Sequence, residues 1–208
     1  MFWEVLTSFD PGLLLAFVTA GLLLNLTPGA DFVFVSASGI AGGPKVGMAA
    51  ALGVNIGIVV HIALAAAGLS ALLISAPWAY DTIRYVGAAY LVWLAIQAWR
   101  SSGALAPGQG SQRLWAAVRR GFFTNILNPK TALFIFAFIP QFTDPVIGPI
   151  WAQIVVLGAI FMAVGFVFSL SLGAASGFFA NALRAKSKIL NRLSAVMFGG
   201  LAARLVWE

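Results

Sequence analysis

Cysteine is absent from the 208-residue sequence, which excludes disulfides, thiolate metal sites, iron–sulfur clusters and thiol nucleophiles. Histidine occurs once, at His61, so a soft-metal site has almost no ligands to draw on. Charge is scarce too. Lys, Arg, Asp and Glu make up 9% of the chain, against about 25% in an ordinary soluble domain. There is no phosphate-binding Walker loop and no His-Glu-x-x-His zinc motif. Ser36, Ser38 and Ser70 have no evident base partner for a hydrolase triad. A cleavable signal peptide is not expected, because the N-terminal stretch has no basic region and carries Glu4 and Asp10.

What is there is apolar: 61% of the residues are hydrophobic. A soluble chain with so few polar residues could not cover its own core, so the solvent it faces is lipid. A spanning helix needs about 20 apolar residues, and the sequence divides into six such candidates. They run from Leu13 to Ser36, Val46 to Ile74, Ile83 to Trp99, Gly121 to Phe142, Ile150 to Ala182 and Leu193 to Trp207. The first is interrupted at Thr27-Pro28-Gly29 and the fourth at Asn128-Pro129-Lys130. Helices are expected because an unpaired backbone group in lipid costs several kcal/mol and a helix satisfies its own. The alternating strands of about 10 residues that a barrel requires are missing. The net charge of +6 falls in short clusters between apolar stretches, which suits an anionic membrane face and not a nucleic-acid groove.

Those clusters set an orientation. With the N-terminus outside, Lys45, Arg100, Arg113, Arg119, Arg120, Arg184, Lys186, Lys188 and Arg192 fall on the cytoplasmic side. Arg84 and Arg204 fall outside, together with Glu4, Asp10, Asp81, Asp144 and Glu208. Both termini are therefore expected outside. The two halves are also alike. Asn25-Leu-Thr-Pro28 resembles Asn125-Ile-Leu-Asn-Pro129 with one residue inserted, and Tyr85–Trp99 aligns with Leu193–Trp207 without a gap. Three helices per half is an odd number, so the repeats would be inverted, a hallmark of secondary transporters. The expected fold is an all-α integral membrane protein: six transmembrane helices in two inverted three-helix repeats, helices 1 and 4 broken at proline. Residues 1–208 form one transmembrane domain, divided into a first repeat (1–100), a cytoplasmic linker (101–113) and a second repeat (114–208).

A proline inside a helix deprives the carbonyl four residues earlier of its donor. Pro28 thus frees Leu24, and Pro129 frees Asn125. Freed carbonyls beside the Asn25 and Asn125 amides can hold an ammonium group, and half-helix N-termini can receive a carboxylate. An amino acid carries both groups. Asp31 and Lys130 are the ionisable residues deepest in the two broken helices, each costing about 2.5–3.5 kcal/mol at a helix centre. They read as an ion pair, or as contacts to a substrate amine and carboxylate; snorkelling to the headgroups is the competing reading. The expected substrate-binding or coupling set is Asn25, Pro28, Gly29, Asp31, Asn125, Asn128, Pro129 and Lys130. His61, Asn55 and Gln141 are secondary candidates. His61 can relay a proton, but a lone membrane histidine commonly bonds a neighbouring helix.

At Asn25-Leu-Thr-Pro-Gly-Ala-Asp31 and Asn125-Ile-Leu-Asn-Pro-Lys130 the sequence resembles the LysE/RhtB family of bacterial amino-acid exporters. The resemblance extends through Gly47-Met-Ala-Ala-Ala-Leu-Gly53, His61, Gly87-Ala-Ala-Tyr-Leu91 and Phe138-Ile-Pro-Gln-Phe142. It departs at Ala30, where the family commonly has a second proline. The resemblance implies export of amino acids or close derivatives across a bacterial inner membrane, driven by proton exchange. Expected partners are a small amino-acid substrate, protons and membrane lipids, with no nucleic acid; a homodimer is compatible with the sequence. No cofactor, metal or enzymatic activity is expected. The alternatives are an inorganic-cation exporter, which would need more intramembrane acids than Asp31, and a non-transport membrane enzyme or assembly protein.

Overall fold

The computed structural model describes residues 1–75, 78–100, 110–176 and 186–207. Every regular element among them is helical. In chain order these are α1 (Phe2–Ser8), α2 (Pro11–Leu26), α3 (Ala30–Gly42), α4 (Pro44–Ser75), α5 (Trp78–Arg100), α6 (Leu114–Ile126), α7 (Pro129–Leu133), α8 (Ile150–Ala174) and α9 (Ser187–Trp207). Of the segments expected from the sequence, residues 101–109 of the linker and 177–182 of the fifth candidate lie outside the described residues.

Local chemistry sets the ends of these helices. Asp10 caps α2, its carboxylate accepting the Leu13 N–H at 2.9 Å, and Pro11 occupies the first turn, where its missing N–H costs nothing. The helix stops at Leu26 because the residue before a proline is pushed out of the helical region; Thr27 is extended (φ −69°, ψ 119°). Gly29, also extended, then caps α3. In the second half, α6 ends at Ile126, and Asn128 caps α7 by accepting the Lys130 N–H at 3.1 Å. Pro129 and Lys130 thus sit in the first turn of α7, and the break falls on Leu127 and Asn128, earlier than the sequence suggested.

Beyond Leu133 the chain stays helical but changes gauge, to a π-helix over Phe134–Phe138 and a 3₁₀ turn over Ile139–Phe142. Pro140 accounts for both. It has no N–H to offer the previous turn, so the ladder widens before it and tightens after it.

Among the described residues, two helices are long and apolar enough to cross a bilayer: Pro44–Gly68 within α4, and α8. Two bent pairs qualify if each is one span: α1 with α2, meeting at 100°, and α6 with the segment from Pro129 to Phe142, meeting at 53°. α5 and α9, which cover the other expected spans, are less apolar and pack on each other. α4 lies at the centre, against α6, α8 and α3. Backbones come very close there: a Cβ on Gly53 would stand 2.0 Å from the Val118 carbonyl oxygen, which only glycine permits. An aromatic cluster of Phe17, Phe134, Phe138, Phe142 and Phe161 joins α2, the π-helical segment and α8.

Candidate functional site

The two helix breaks face each other around a cavity of about 50 Å³, room for a few water molecules. Asn25, Gly29, Asp31, Asn55, Asn128 and Lys130 all line it. Asp31 stands in the first turn of α3, where the helix dipole favours an anion. Its Oδ2 accepts three hydrogen bonds: from Asn125 Nδ2 and Asn128 Nδ2, both at 2.9 Å, and from the Thr131 hydroxyl at 3.2 Å. Its Oδ1 is buried with no partner. One carboxylate oxygen is saturated by donors from the opposite break, and the other is left bare.

Lys130 does not pair with Asp31; no ion pair joins them among the described residues. Its ammonium donates to the Leu24 carbonyl at 2.7 Å and the Thr27 carbonyl at 2.8 Å. Leu24 is the carbonyl that Pro28 deprives of its helical donor, so the freed acceptor is taken by a lysine from the other half of the chain. Cation and anion each occupy a complementary helix end across one break, Lys130 at the C-terminus of α2 and Asp31 at the N-terminus of α3. An ammonium has three donors, and these two bonds leave one.

The counterpart carbonyl, Asn125, accepts the Asn128 N–H at 2.9 Å and faces His61 Nε2 at 3.3 Å. His61 is buried beside Phe136 and does not line the cavity. Gln141 bonds back to the Ala137 carbonyl of its own helical segment and is likewise not a lining residue. Pro28 lines a different and wider cleft of about 350 Å³, shared with Thr27, Gln97, Arg100 and Lys130. Thr27 and Lys130 border both spaces, and the Thr27 hydroxyl also meets the Ser194 hydroxyl of α9.

Three further residues serve the site that the sequence did not single out as binding residues. Thr131 supplies the third donor to Asp31, Thr27 contributes its carbonyl to Lys130, and Ser169 of α8 accepts from Asn55 Nδ2 at 3.0 Å. Hydroxyl residues are common in membrane helices, so nothing distinguishes these in one dimension. The rest of the lining is apolar, with Phe32, Val54, Ile58, Phe161 and Phe168 prominent. Among the described residues no cluster of acids and histidines could hold a metal ion.

Apolar helices closing around one small polar cavity, whose opposed charges stand at broken helix ends, define a membrane translocator of small solutes. The chain belongs to the LysE type translocator family, whose model matches residues 22–208. It is 35% identical over 157 residues to the homoserine/homoserine lactone efflux protein of Salmonella typhimurium, covering 73% of this chain and 74% of that one. It is 32% identical over 197 residues to the leucine efflux protein of an Enterobacter species, covering 91% and 92%. A Vibrio cholerae protein named only as an uncharacterized membrane protein is 36% identical over 146 residues, covering 69% and 71%. No solved structure matches.

Proposed function

We propose that this protein exports a small amino acid or close derivative from the bacterial cytoplasm, across the inner membrane, in exchange for entering protons. The bare Asp31 Oδ1 carries this reading, set in the same cavity as the Lys130 ammonium. One unfilled acceptor and one remaining donor complement the ammonium and carboxylate of a zwitterion. The two efflux relatives act on amino-acid substrates by name, which supports the same class.

Asp31 is the coupling residue in this proposal. It can hold a proton or a substrate amine, and alternating between them links the two fluxes. The proton gradient favours entry, so antiport drives the substrate out. The cavity has room for only a few waters; loading requires the Lys130 and Thr27 contacts to part and join it to the wider cleft.

The architecture proposed is six spans in two inverted repeats with both termini outside. One pair of contacts supports it. A Cβ on Gly57 of α4 would meet Asn125 Oδ1 at 2.6 Å, and a Cβ on Gly165 of α8 would meet Asn25 Oδ1 at 3.2 Å. The register that aligns Tyr85–Trp99 with Leu193–Trp207 also aligns Gly57 with Gly165, and Asn25 is the counterpart of Asn125. Each half thus sets a glycine of its uncharged helix against the asparagine of the other half's broken helix, as a two-fold relation between inverted repeats requires.

An efflux screen tests the function. Expression in a strain sensitised to accumulated amino acids should raise tolerance to at least one small neutral amino acid or derivative. Protection against a divalent metal only would replace the amino-acid reading with cation export.

A further inference from the structure

The Asp31 and Lys130 contacts account for the two charged groups that every amino acid shares and leave its side chain unread. On the α4–α8 side of the cavity a second polar group waits. Asn55 is buried, 5% exposed, and lines the cavity. Its amide nitrogen donates to the Ala51 carbonyl at 2.8 Å and to the Ser169 hydroxyl at 3.0 Å. A carbonyl can only accept, so the Ala51 contact fixes which end of the amide is nitrogen. Ser169 in turn donates to the Phe166 carbonyl at 3.2 Å, which leaves its lone pairs for Asn55. Both amide protons are therefore used, the orientation is locked, and Asn55 Oδ1 is left buried without any partner.

We propose that Asn55, held by Ser169, is the specificity-determining residue for the substrate side chain, and that its Oδ1 accepts a hydrogen bond from a side-chain hydroxyl. The inference rests on the amino-acid export reading. Apart from Asn55 and Ser169, the side chains that α4 and α8 contribute to the cavity lining, among them Val54, Ile58, Phe168 and Leu172, are apolar and offer no other polar partner to a substrate side chain. A hydroxyl-bearing amino acid satisfies the orphaned acceptor. An aliphatic one of the same shape leaves it buried and unpaired, and a site built around a hydrogen bond discriminates strongly against the analogue that lacks it. The preferred class is thus a small amino acid with a side-chain hydroxyl, ahead of its isosteric hydrocarbon.

The test uses two isosteric pairs, homoserine with norvaline and threonine with valine, in which a methyl group replaces the hydroxyl. Purified full-length protein in liposomes is assayed for exchange of each labelled compound. The wild type should favour the hydroxylated member of at least one pair by about tenfold or more, the worth of one buried hydrogen bond. In Asn55→Leu that ratio should fall to near unity, measured on protein whose folding is checked independently by its thermal unfolding in detergent. Ser169→Ala, which unlocks the amide but keeps the acceptor, should lie between. Equal rates for both members in the wild type, or an unchanged ratio in Asn55→Leu, would overturn the specificity role and leave the exporter reading standing. Failure to move any of the four, or any other amino acid, would overturn both.

Discussion

At the residue scale, Asp31 and Lys130 share a cavity and yet spend their hydrogen bonds on different partners: asparagine amides and a threonine hydroxyl for the acid, backbone carbonyls for the amine. Each is therefore held in place without neutralising the other. Asp31→Asn keeps the shape but loses the anion; Lys130→Met keeps the stem but leaves the Leu24 carbonyl without its donor. Both variants should reach the membrane in normal amount and show transport at background level, measured as labelled amino-acid flux. Wild-type rates in either would remove that residue from the mechanism. His61 is a milder case. The Asn125 carbonyl it faces already accepts the Asn128 N–H, so His61→Gln, which retains a donor, should keep measurable transport. Complete loss in a well-folded variant would assign His61 an essential relay.

At the scale of the element, the two helix breaks organise the site, and they were legible to different degrees. Pro28 and Pro129 mark both breaks in the sequence, and the rule that a proline orphans the carbonyl four residues back points to Leu24 and Asn125. The occupant of Leu24 was not legible, because Lys130 arrives from the other half of the chain and only the folded arrangement brings them together. The π-helical stretch before Pro140 was not anticipated: the fourth span expected from the sequence runs through Pro140 to Phe142 without a change of gauge. Asn55 was visible as a polar residue in an uncharged helix, but its pairing with Ser169 depends on how α4 meets α8. Glycines of α4 and α8 come close to the asparagines of the broken helices. Those partners now give a graded expectation. Gly57→Ala drives a methyl against Asn125 at 2.6 Å, whereas Gly165→Ala meets Asn25 at a more tolerable 3.2 Å. Gly57→Ala should destabilise by about 1–3 kcal/mol, with a smaller effect for Gly165→Ala, read from thermal unfolding in detergent. Equal losses would argue against the contact at Asn125 as the cause.

For the whole molecule, the central question is which way the solute moves and what drives it. Orientation comes first. Reporters active only in the cytoplasm should work when fused after Gly110 or Ser187 and be silent after Pro149 or at the C-terminus; an active C-terminal fusion would mean that a span has been miscounted. Basic residues at Lys45, in the linker region and around Lys186 to Arg192 set that expectation. Aromatic packing of Phe17, Phe138 and Phe161 lies toward the N-terminal end of α2, while the Thr27 and Lys130 contacts lie at its C-terminal end. In the proposed orientation these are the outer and inner closures of one cavity, and alternating access opens one while the other stays shut.

The measurement that bears most directly on the account is flux through purified protein in liposomes loaded with labelled amino acids under an imposed pH gradient. Protons moving in one direction should drive a small amino acid in the other, the flux should collapse when the gradient is dissipated, and in Asp31→Asn it should stay at background. Amino acid and protons moving in the same direction, or a flux indifferent to the gradient, would contradict antiport at Asp31.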